Sequence, residues 1–153
     1  MLPFYDGASL FGEGGSPKLD LFQPWLALVA EVSTDVELRA IRDVFDAAIW
    51  EWETANHFAS VLHLLQSGAV ESALRQFPSV LTALQAAAGQ WQRAADWLSE
   101  YGESHKATLY APLFEQVALH QQRLRSRQQQ LQMLMSRYYE EWNVPPPWLQ
   151  GQR

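Results

Sequence analysis

The chain reads as an all-α protein: an antiparallel helical bundle of three long helices plus one or two short ones, coiled-coil-like in packing, with irregular N- and C-terminal arms. Three features carry that reading. Five of the eight Gly and six of the eight Pro lie before residue 25 or after residue 144, so the middle is nearly clear of helix breakers. Through that middle, apolar residues recur in steps of three and four, the period of helices packed nearly parallel. No stretch alternates apolar and polar residues as a half-buried strand does. The 153 residues amount to about one domain, and 48% apolar against 18% charged residues suffices for a core. The expected organisation is an arm over 1–18, a bundle over 19–142 and a Pro-rich tail over 143–153.

The first arm carries Phe4, Tyr5, Leu10 and Phe11 among its glycines. It is either a loose tail or an aromatic arm that docks on the body or on a partner. A short helix is expected over 21–32, with Pro24 tolerated in its first turn. Its apolar residues point to most sides, which predicts burial.

The second helix has a clear start: Thr34 and Glu37 stand at capping-box spacing. From there Leu38, Ile41, Phe45, Ala48, Trp52, Ala55, Ala59 and Leu62 follow at steps of three and four, predicting an inward seam that Val44, Ile49, Phe58, Val61 and Leu65 widen. Ser67-Gly68 marks its end. A short helix over 69–76 is expected to stop at Pro78, which suits the first turn of the next helix. That helix carries Leu81, Leu84, Ala88, Trp91, Ala95 and Leu98 and stops at Gly102. Gly89 within it costs about 1 kcal/mol relative to Ala, and close approach of a neighbouring helix would compensate. The last helix runs from Ser104 to about Trp142, and Pro112 is expected to kink or restart it. Its seam is Leu113, Val117, His120, Leu124, Arg127, Leu131, Leu134 and Tyr138. A seam His serves as a register-setting or core polar group, and Arg127 as its counterpart reaching a carboxylate on the facing helix. In the tail, three consecutive prolines stiffen the approach to Trp148. This strut either wraps back on the domain or offers Trp148 to a partner's groove.

Charge divides the chain. Residues 1–103 carry a net −9 and residues 104–153 a net +3, for −6 in all. An acidic chain is a poor free-standing nucleic-acid binder, since phosphate neutralisation supplies most non-specific affinity. The alternative reading, a small subunit of a nucleic-acid-associated complex, would rest on Arg123, Arg125 and Arg127. At 100° per residue, Arg125 points away from the other two. With no Cys, the chain has no disulfide, thiol nucleophile or Cys-ligated metal. No apolar run is long enough to span a bilayer and no signal peptide is evident, so the expected location is cytoplasmic, away from membranes.

The most suggestive chemistry is a stripe of Asp43, Asp46, Trp50, Glu53 and His57 on one face of the second helix, opposite the expected seam. It is either a solvated acidic face or a partner-binding surface, because Trp in a charged face is a common binding hot spot. Glu53 and His57 have the spacing to share a cation. The chain lacks Glu-x-x-His and His-Glu-x-x-His, so no metal or other cofactor is expected, and a cofactor- or metal-binding helical bundle stands as the second alternative. No nucleophile elbow or phosphate loop is present, and no enzyme is expected. The reading is a non-catalytic protein–protein interaction module: an adaptor, small chaperone or subunit of a larger assembly. Its partner is another protein, with a homodimer as a further possibility.

Overall fold

A computed structural model describes residues 23–149. Four α-helices follow in order: α1 (Gln23–Ala30), α2 (Asp35–Gln66), α3 (Val70–Tyr101) and α4 (Ala107–Glu141). One 3-10 turn (Ser104–Lys106) precedes α4 and another (Pro147–Leu149) lies in the tail. No strand occurs among the described residues, and no helix there is long and apolar enough to cross a membrane. The fold is the expected helical bundle. The arm over 1–18 lies outside the described residues.

α2 and α3 are each 32 residues long and form an antiparallel hairpin with the most extensive interface of the molecule. At 1.5 Å per residue each is about 48 Å long. Thr34 caps α2 as its spacing requires: the Glu37 N–H donates to Thr34 Oγ1 at 3.2 Å. The helix ends in a Schellman motif. Ala69 N–H donates to the Leu64 carbonyl at 2.8 Å, and Gly68 N–H to that of Leu65 at 3.2 Å. Gly68 has φ +83°, the left-handed conformation that this motif places on glycine. α4 ends the same way on Asn143 (φ 53°), with Val144 N–H donating to the Tyr139 carbonyl. The prolines that follow keep the helix from continuing.

Neither internal proline ends a helix. The segment expected as a separate helix over 69–76 is continuous with α3, and Pro78 lies inside it. Proline has no N–H to give the carbonyl four residues earlier. That carbonyl, on Leu74, instead accepts the buried Tyr139 hydroxyl of α4 at 2.9 Å. Pro112 likewise lies inside α4, which neither restarts nor stops there. Gly89 needs no close neighbour: a Cβ there would meet nothing within 4 Å. Gly102 is the crowded glycine, where a Cβ would press on the Leu98 carbonyl and the Tyr110 ring.

The core seams of α3 and α4 fall where the periodicity puts them. Leu81, Leu84, Trp91 and Leu98 are buried on α3; Leu113, Val117, His120, Leu124, Arg127, Leu131 and Leu134 are buried on α4. The short α1 is not buried all round. Trp25 and Leu28 enter the core, while Leu26 and Val29 are exposed.

α2 departs from expectation. Its buried positions include Glu37, Ala40, Val44, Ala47, Glu51, Thr54, Phe58 and Val61. These keep steps of three and four but stand one residue before the expected seam. A shift of one residue turns a helix by 100°. Leu38, Phe45, Ile49 and Trp52, expected inside, are exposed; Ile41 is buried and Leu62 half-buried, and of the residues that widen the seam Val44, Phe58 and Val61 are buried.

Candidate interaction surface

The turn of α2 follows from what its inner face meets. Two of the three carboxylates it buries have cations waiting, and the third has one at its edge. Glu37, fully buried, holds Lys106 Nζ at 2.7 and 3.0 Å from its two oxygens. The same ammonium donates to the Glu31 carbonyl at 2.7 Å and to Ser33 Oγ at 2.6 Å. One lysine thus ties the start of α4 to the α1–α2 connection. The Glu37 hydrogen bond holds the Lys106 pKa above its ordinary value.

Halfway along α2, Glu51 Oε1 lies 3.7 Å from His120 Nδ1 and 3.9 Å from Arg127 Nη1. All three side chains are buried. The His120 ring stacks on Trp91, with centroids 4.0 Å apart and planes 17° apart. Trp25 approaches Trp91 with centroids 6.2 Å apart. Burial first, then the like charge of Arg123, lowers the Arg127 pKa to about 10, against the pull of Glu51. Arg127 therefore meets the carboxylate on the facing helix that its seam position calls for.

The predicted stripe is divided between interior and surface. Asp43 is not part of a solvated face. It is buried, 3.8 Å from Arg93 Nε of α3. Burial raises its carboxyl pKa, with Arg93 opposing. Asp46 is half-buried, and Trp50 is exposed at the margin of the hairpin. Glu53 Oε2 lies 3.9 Å from His57 Nε2 at the surface. Among the described residues, no three His, Asp or Glu side chains gather as metal ligands would. Trp148 packs on its own domain, edge-on to Tyr139 and Phe77 at 5.5 and 6.3 Å, over the helix turn that contains Pro78. The three arginines form no common basic surface: Arg125 is exposed, Arg123 half-buried and Arg127 buried.

The turn leaves a second regular face on α2, pointing outward. Leu38, Arg42, Phe45, Ile49, Trp52, Asn56, Ala59 and His63 follow at steps of four and three, and all eight are exposed. Leu38, Phe45, Ile49 and Trp52 show 57, 51, 59 and 43% of their surface to solvent. Four large apolar side chains in one register are unusual on a solvated helix, where such residues are scattered singly. Leu38, Phe45, Arg39, Arg42 and Asp46 line an open groove at its N-terminal half. The sequence held a sign of this arrangement. His120 and Arg127 in the α4 seam require an acid opposite, and Glu51 belongs to a face of α2 that keeps the same period as the expected seam.

The fold and this surface define a compact class, an α-helical bundle with one long helix that is amphipathic twice over. Comparison with known proteins gives no match to a family model, a curated protein or a solved structure.

Proposed function

We propose that the protein is a non-catalytic interaction module that docks a partner helix along the outward face of α2. The observation that supports this is the unbroken heptad register of that face, apolar at Leu38, Phe45, Ile49 and Trp52 and exposed throughout. A register of this kind accepts a helix by interdigitation. The face lies beside the stripe singled out from sequence and shares its margin, with Asp46 and Glu53 as the polar rim of the apolar strip.

The test is a variant with Phe45, Ile49 and Trp52 all changed to Ser. These residues contribute little to the core, so helix content and thermal midpoint should stay near those of the parent. Native mass spectrometry of the parent, recovered gently from its own source, should show a protein complex that the variant lacks. A complex equally abundant for both proteins would remove this face as the docking surface.

A further inference from the structure

The occupant of this face can be named from its register and its charges. We infer that it is a second copy of the same chain, with the two α2 helices antiparallel about a two-fold axis level with Ala47. The inference rests on the reading of the outward face as the docking surface.

The steps of four and three make the eight positions alternate like the a and d positions of a coiled coil, and in an antiparallel pair each a position faces a d position. With the axis level with Ala47, Phe45 of one copy faces Ile49 of the other, and the reverse. Arg42 faces Trp52 of the second copy, where a guanidinium meets an indole face. Leu38 faces Asn56. The two apolar contacts, Phe45 on Ile49 and its mirror, therefore collect at the centre, with an Arg42–Trp52 contact on either side. Glu53 of the second copy flanks Trp52 and stands beside Arg42, while Arg39 lies on the same flank. On the opposite flank, Ala48 and Ala55 are small and half-buried, which lets two helices approach closely.

Charge decides the direction. The N-terminal half of the face carries Arg42, with Arg39 lying over the Trp97 ring of its own chain and Asp35 at the end of the groove, and the C-terminal half carries Glu53. An antiparallel pair sets plus against minus at both ends. A parallel pair in register sets Arg42 on Arg42 and places Glu53 beside Ala48 of the other copy, with no cation opposite. The antiparallel pair brings Asp46 near its own copy at the axis, and Arg42 lies one turn before it on the same helix. Each copy presents the same patch, as a closed two-fold interface requires.

Sedimentation equilibrium of the full chain tests the pairing. A mass of twice 17.5 kDa is expected. Phe45→Glu should lose the dimer while its circular dichroism remains that of the parent. Arg42→Glu and Glu53→Arg should each weaken the dimer by about tenfold, and the two together should restore it. Spin labels at Ser60→Cys fix the direction: thirteen residues on each side of the axis separate them by roughly 40 Å when antiparallel, against about 10 Å when parallel. A short distance overturns the antiparallel arrangement. A monomer at high micromolar concentration overturns self-pairing, and hydroxyl-radical footprinting of that monomer then separates the two claims. Strong oxidation of Phe45 and Trp52 leaves the docking face standing for a different partner. Protection of both in the monomer overturns the docking face as well.

Discussion

Glu51 shows how one side chain sets the packing around it. A buried carboxylate is costly unless it is paired, and pairing in a core seldom exceeds what apolar side chains of the same volume supply. The Glu51–His120–Arg127 group therefore fixes which way α2 faces more than it adds to stability. Glu51→Ala leaves Arg127 buried without this carboxylate and should lower unfolding free energy by about 3 kcal/mol, read from urea unfolding. Glu51→Leu combined with Arg127→Met should return stability to near the parent's. If the single and double changes cost the same, the group contributes nothing to the register of α2. Arg127 was legible in the sequence as a seam residue in need of a carboxylate. The carboxylate itself was not, because Glu51 lies one residue before Trp52 and hydropathy favours the wholly apolar seam through Trp52.

The helices differ in how plainly the sequence speaks for them. On α3 and α4 one face is clearly more apolar than the others, so periodicity alone locates the core. On α2 two faces keep the same period. The bundle buries the one that carries Glu37 and Glu51, with Asp43 at its edge, toward Lys106, Arg127 and Arg93, and leaves Leu38, Phe45, Ile49 and Trp52 outside. Side-chain pairing across helices decides the matter, and the pattern within one helix does not contain it. The same holds for Pro78, which reads as a boundary until the Tyr139 hydroxyl from 65 residues away takes up the Leu74 carbonyl. Tyr139→Phe should strand that carbonyl and cost about 1–3 kcal/mol near neutral pH. Burial also raises the Tyr139 pKa to about 12 from 10. A raised phenol favours folding while protonated, so this contribution is intact below pH 10 and is lost as pH rises toward 12. Urea midpoints of parent and Tyr139→Phe should converge over that interval; parallel curves would show that the phenol does not titrate with this sign.

Taken as a whole, the molecule keeps its charged groups inside at three points and a row of large apolar groups outside. Both features meet on α2, whose outer side carries a second heptad register. In a lone chain the row is exposed apolar surface, and in a paired one it is the centre of an interface. The proposal thus requires that the two faces of α2 do different work, the inner one holding the bundle and the outer one holding a partner. Val44 and Phe45 are adjacent in sequence and lie on the two faces. Urea unfolding of Val44→Asp and Phe45→Asp, at concentrations low enough to keep the chain monomeric, compares them directly. Val44→Asp should lose about 3 kcal/mol or more by burying an unpaired charge, while Phe45→Asp should stay within about 0.5 kcal/mol of the parent. The opposite order, with Phe45→Asp unfolding the chain and Val44→Asp tolerated, would contradict both the orientation of α2 and the surface built on it.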